Sequence, residues 1–236
     1  QRASWINLNG TWEFQFDSLD VGLEQEWFKS PIFVEKITVP FPWGSRLSGV
    51  DNLAHIGWYS RRLDIPVDWS DKRTFLIVGA CDWHTSVWID GEFVGEHQGG
   101  YTPFEFDLSA HVKSGQAHQL IVRVDDTPHP FKLEGKQGYG EAKGIWQTVY
   151  LESRGAVSIK YIHFTPDIDR GKVRVKLLLD QPANENLYVN VSFPNKEIKG
   201  IITSPKIQKK SQKVEFDIRI PDPQLWDLEN PYLYDV

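Results

Sequence analysis

Residues able to carry chemistry are thinly spread in this 236-residue chain. Seven histidines are present, but none stands in a His-x-x-x-His or Cys-His spacing, so no metal site is expected. No Gly-x-Ser-x-Gly elbow offers a nucleophilic serine, and no glycine loop is built to hold a phosphate. Cys81 is the single cysteine; set between two strands beside an apolar run, it reads as a small buried thiol rather than a nucleophile. Asp90, Glu92, Glu96, Glu105 and Asp107 read as turn and strand-face acids. Arg61-Arg62 could clamp an anion, although a solvated strand face is the commoner role of paired arginines. What remains is recognition: ten tryptophans are many for this length, and Trp and Tyr stack on the C–H faces of sugars as well as filling sandwich cores.

The elements that must position these groups are strands. Residues 75–106, FLIVGACDWHTSVWIDGEFVGEHQGGYTPFEF, open with an apolar run too short for a helix and suited to a strand buried on both faces. Thr85, Val87 and Ile89 then alternate with His84, Ser86 and Trp88, and Asp90-Gly91 supplies the positive-φ turn of a two-residue hairpin. Counting outward from that turn pairs Ile89 with Glu92 and Val87 with Val94. Trp12, Phe14 and Phe16 line one face of an earlier strand; Trp27 and Phe28 pin a short helical turn; Leu120, Val122 and Val124 line one face of a later strand.

Two long irregular segments interrupt the strands, residues 41–56 and 126–143. Loops of this length in compact domains are commonly functional, and each ends on an aromatic anchor. Trp43 and His55 in the first are therefore candidate ligand contacts. Ser153-Arg154-Gly155 reads as a boundary, so residues 1–154 and 155–236 are taken as two domains. Beyond it, short alternating runs at 159–165, 173–179, 187–193, 198–202 and 214–220 suit an immunoglobulin-like sandwich. His163, between Ile162 and Phe164, is expected to be a satisfied structural residue.

The segment VWIDGEFVGEHQGGYTPFEFDLS resembles the signature of the N-terminal sugar-binding domain of glycoside hydrolase family 2, the β-galactosidase, β-glucuronidase and β-mannosidase enzymes. LNGTWEF at 8–14, GWYSRR at 57–62, GIWQTVYLE at 144–152 and PQLWDLENPYLYDV at 223–236 agree in order, so the resemblance covers nearly the whole chain. It implies an all-β fold: a jelly-roll (galactose-binding-like) β-sandwich followed by an immunoglobulin-like β-sandwich incomplete at its C-terminus, where a strand has just begun at 232–236. An unfinished edge there is expected to pair with another chain, as in a homo-oligomer, or to leave the second domain less ordered.

In that family, retaining cleavage uses two carboxyl groups about 5 to 5.5 Å apart, carried on a barrel. No βα repeat is present here. Asn184-Glu185 superficially matches the family's catalytic pair but lies in a polar loop and is rejected. No catalytic residue is therefore expected, and the chain is expected to pack on an absent catalytic barrel and to help recognise a β-glycoside carbohydrate. The family aspartate before Gly144-Ile145-Trp146 falls near Gly138. Lys136, Gln137 or Tyr139 then takes over its contact with a sugar hydroxyl, or the substrate differs. The expected function is the non-catalytic N-terminal part of a retaining β-galactosidase, with a β-glucuronidase or β-mannosidase, a free-standing carbohydrate-binding module or a purely structural spacer as alternatives. No redox cofactor is implied.

Twenty-six basic against thirty-two acidic residues, a net charge of −6, and no basic cluster beyond Lys209-Lys210 argue against nucleic acid. No apolar run approaches the ~20 residues of a membrane helix. The absence of methionine even at position 1 suggests a processed or excised chain, with an extracytoplasmic location expected and a cytoplasmic one as the alternative.

Overall fold

A computed structural model describes residues 4–128, 143–193 and 202–236. The chain divides into two compact units, Gln1–Gly155 and Ala156–Val236.

The first unit carries β1 (Trp5–Asn7), β2 (Gly10–Phe16), β3 (Glu35–Val39), β4 (Ile56–Asp64), β5 (Arg73–Val78), β6 (Cys81–Asp82), β7 (His84–Ile89), β8 (Glu92–Gln98), β9 (Phe104–Asp107), β10 (Ala117–Asp125), β11 (Gly144–Ile145) and β12 (Val149–Arg154). One antiparallel sheet has the order β3-β2-β4-β10-β7-β8 and the other β1-β12-β5-β9, while β6 pairs with β11. The chain crosses between the two sheets at β1–β2, β4–β5, β8–β9 and β9–β10, which makes a jelly-roll sandwich rather than a meander. Period-two alternation turns Trp12, Phe14 and Phe16 inward, against Tyr59, Val122 and Val124 of the same sheet and Leu76, Leu151 and Phe106 of the other. β5 is buried along nearly its whole length, as its unbroken apolar run predicts.

A smaller apolar layer lies on the outer face of the six-stranded sheet. Ile56, Trp58, Trp88 and Ile121 are covered there by Trp27, Phe28 and Phe33. Phe28 stacks on Trp88 at 5.3 Å. Asp17 fixes the covering segment: its carboxylate accepts the N–H groups of Val21 and Gly22 and the indole N–H of Trp58.

The hairpin turn has the expected chemistry, with positive φ at both Asp90 and Gly91. Its register differs from the count. Ile89 faces Glu92 and Trp88 faces Phe93, but Val87 then faces Gly95, so Val94 is an extra residue in a β-bulge. The cause lies in the other sheet. Gly95 sits under Phe106, whose ring atoms would stand 3.0 and 3.1 Å from a Cβ at that position, and the bulge brings a residue without a side chain there.

The second unit holds β13 (Ile159–Asp167), β14 (Lys172–Leu179), β15 (Leu187–Tyr188), β16 (Val191–Ser192), β17 (Ile202–Thr203), β18 (Lys206–Ile207) and β19 (Lys213–Arg219). β13-β14-β19 form one sheet, and β15-β18 and β16-β17 form two short pairs. Two small cores result, one around Val175, Phe193 and Ile218 and one around Leu177, Leu179 and Ile207. The run expected at 187–193 is interrupted, and that at 198–202 falls mostly outside the described residues. Residues 232–236 form no strand, contrary to the expectation. His163, expected to be a satisfied structural residue, has a partner in Thr165 Oγ1 at 3.4 Å and stacks on Tyr161 at 6.1 Å, but it is exposed.

Candidate functional site

Ile56 opens β4, Asp125 closes β10, and the two are paired in register. Residues 41–56 and the described ends of 126–143 therefore meet at one end of the first sandwich. His84, also paired with Asp125, brings the start of β7 to the same end.

Trp43 is the anchor of the first segment. It forms a bridge with Lys143, its N–H donating to the Lys143 carbonyl at 3.2 Å. Its ring is 1% exposed and packs on Phe14, Phe16 and Tyr59 at centroid distances of 5.9, 5.8 and 6.2 Å. No face is open for stacking on a ligand, so Trp43 acts here as a core residue that holds the loop. Gly144 makes the close approach possible: at φ +77° its missing Cβ would collide with Tyr59 Oη and lie 2.5 Å from the Trp43 ring. Burial pushes the Tyr59 phenol well above its ordinary value, so Oη stays a neutral hydroxyl and accepts the Ile145 N–H at 3.3 Å.

His55 is exposed, as a contact residue must be. Its carbonyl accepts the Asp126 N–H at 2.8 Å, and its ring Nδ1 lies 3.4 Å from Lys143 Nζ. Lys143 is itself buried and stands 4.0 Å from Asp126 Oδ2, also buried. One ammonium thus links the first segment to both ends of the second. Neighbouring Asp125 is opposed by burial but drawn below the usual carboxylate range by hydrogen bonds from Thr127 and by the Arg123 guanidinium. Lys136, Gln137 and Tyr139 lie outside the described residues.

Sequence reasoning missed the Lys143–Asp126 pair, although its signal was available: a charged residue at each end of one irregular segment. It also missed an aromatic pair. The Trp146 indole N–H donates to the Gly100 carbonyl at 2.8 Å, and Tyr101, 60% exposed, stands edge-on to Trp146 at 5.8 Å. The carboxylates at the loop bases, Asp82 and Asp126, are buried, which suits holding loops more than flanking a scissile bond. Among the described residues no group of three or more His, Cys, Asp and Glu could hold a metal ion, and no helix is long and apolar enough to cross a membrane.

The family description "Glycosyl hydrolases family 2, sugar binding domain" matches residues 6–154, and "Glycosyl hydrolases family 2" matches residues 157–236. The chain belongs to glycosyl hydrolase family 2. Its family 2 relatives differ in the sugar they are named for. A β-galactosidase of Thermoanaerobacter pseudethanolicus is 29% identical over 77% of this chain and 25% of its own length. A β-glucuronidase of Paenibacillus borealis is 25% identical over 97% of this chain and 41% of its own. The fold matches the crystal structure of Ruminococcus gnavus β-glucuronidase with a TM-score of 0.75 at 20% identity, over 99% of this chain and 42% of that one. This family 2 chain thus spans between a quarter and about two fifths of the length of these relatives.

Proposed function

We propose that this chain is the non-catalytic, sugar-recognising part of a β-glycosidase of family 2, and that the end bearing residues 41–56 and 126–143 contributes to binding the glycoside. The observation that carries the reading is the convergence of the two segments through Lys143, which leaves His55 exposed beside them. Lys136, Gln137 and Tyr139 belong to the second segment and are proposed to share the contact. Cleavage is assigned to polypeptide beyond these two sandwiches, because the acids in the matched motifs have structural duties. Asp90 accepts from the Gln119 N–H and pairs with His118, Glu105 clamps Arg154, and Asp107 accepts from Ser109.

For the sugar, a β-galactoside is expected from the sequence, and a β-glucuronide has equal support from the relatives. An extracytoplasmic location remains part of the proposal. The test has two arms. The purified chain is incubated with 4-nitrophenyl β-galactoside and β-glucuronide, and no turnover is expected. In the enzyme that carries the chain, His55→Ala is expected to raise KM for its glycoside while changing kcat little. Turnover by the isolated chain that disappears when one of its own acids is changed would overturn the assignment.

A further inference from the structure

The outer face of the six-stranded sheet is closed by Trp27, Phe28 and Phe33 near Ile56 and Trp58. Further along β4, toward Asp64, a groove of about 470 Å³ opens across β3, β2, β4 and β10. On its floor is Ser60, 1% exposed. Ser60 Oγ accepts a hydrogen bond from Gln119 Nε2 at 2.8 Å and donates to Glu13 Oε2 at 3.1 Å. The strand register fixes this chain of bonds, with Glu13 opposite Ser60 and Gln119 opposite Arg62. A carboxylate and a carboxamide on strands two places apart are thereby held in fixed planes by a buried hydroxyl. Glu13 Oε1 and the single carboxamide oxygen of Gln119 accept no hydrogen bond among the described residues.

The rim is preorganised too. Arg62 donates twice to Asp64 Oδ1, at 3.0 and 2.9 Å, and Arg61 Nη1 donates to the Thr11 carbonyl at 2.5 Å. These bonds engage Arg62 through Nε and Nη2 and Arg61 through Nη1, which weakens the anion-clamp reading of the arginine pair but leaves further N–H groups able to donate into the groove. Three cations, Lys36, Arg61 and Arg62, stand against two anions, Glu13 and Asp64, which leaves the groove close to neutral. Alternating fixed acceptors and donors on a nearly neutral floor match a molecule whose groups both donate and accept, and vicinal hydroxyls do both.

We propose that this groove is a second carbohydrate site, taking a neutral oligosaccharide along the outer sheet face. It lies toward the Asp64 end of β4, away from the Ile56 end where the two long segments meet, and so stands apart from the site described above. Glu13 and Gln119 accept from adjacent hydroxyls, while Lys36 and Arg62 donate from the rim.

The test is isothermal titration of the 236-residue chain with neutral tetrasaccharides of β-1,4-linked glucose, mannose, xylose and galactose. At least one is expected to bind in the millimolar range. Glu13→Gln combined with Gln119→Ala should weaken that binding about tenfold, and His55→Ala should leave it within about twofold. Should the double variant unfold, Arg62→Ala at the exposed rim is expected to weaken binding about threefold. Three results would overturn the proposal. These are no binding of any tetrasaccharide, binding sensitive to His55→Ala but not to the groove variants, and self-association by sedimentation that the groove variants abolish. The first and third leave the loop-end reading standing, so the two can fail separately.

Discussion

Lys143 Nζ lies 3.4 Å from His55 Nδ1, 88 positions earlier in the chain, and 4.0 Å from Asp126 Oδ2, so one buried ammonium joins the two loops. Removing the cation takes the Lys143 charge away from the buried Asp126 carboxylate, and breaking such a pair is costly because the survivor stays desolvated. Lys143→Met is expected to destabilise the first unit by about 3 kcal/mol in urea unfolding. A loss well under about 1 kcal/mol would show that the ammonium is not holding the loops.

Arg154 makes a second buried network. It bonds Glu105 through both terminal nitrogens, at 2.8 and 2.5 Å, and Glu152 through Nε at 2.7 Å, with its guanidinium carbon 4.0 Å from the Phe75 ring centroid. Lysine carries the charge but not the planar fork. Arg154→Lys should therefore recover only part of the roughly 3 kcal/mol lost in Arg154→Met. Full recovery by lysine would mean that charge alone matters at this position.

Cys81 is fully buried, and burial pushes its thiol up to about 12. The thiolate is the reactive form, so the native protein should not react with Ellman's reagent at pH 8, while the urea-unfolded chain should react stoichiometrically. Because the folded value is raised, the unfolded chain loses this proton first. The stability contribution is complete below the ordinary value of 9.0 and is lost as pH rises toward about 12. Cys81→Ala should flatten that alkaline decline; an unchanged slope would assign it to other groups.

His97 behaves in the opposite direction. Its ring stacks on Phe104 at 4.0 Å, and burial lowers its pKa below the ordinary 6.5. The unfolded chain then takes up this proton at a higher pH than the folded one, so the contribution is present above 6.5 and is lost as pH falls through the folded value. Thermal midpoints between pH 7 and pH 5 should fall less steeply in His97→Phe than in the wild type. Parallel profiles would rule out His97 as a contributor to acid sensitivity.

Much of the scaffold was legible because its determinants are local. Asp90-Gly91 encodes its own turn, the run from Phe75 to Val78 can only be an inner strand, and Trp12, Phe14 and Phe16 declare a buried face by alternation. The recognition end was legible only in part. The length of residues 41–56 and 126–143 marks them as candidates, but which side chains of the first turn outward does not follow from it. Trp43, a candidate ligand contact by sequence, is a core residue, because Gly57 and Gly144 leave room for its ring against Tyr59.

The sequence by itself determined the main strands of the first sandwich, the hairpin turn and the membership of family 2, since these rest on residue patterns that neighbours in the chain carry together. Only the tertiary structure decided the bulge opposite Val87, the inward turn of Trp43, the Lys143 link between loops and the groove over Ser60. Each of those depends on what a different strand presents at the same point in space. Phe106 over Gly95 and Gln119 beside Ser60 are contacts between different strands, which no pattern within one strand encodes.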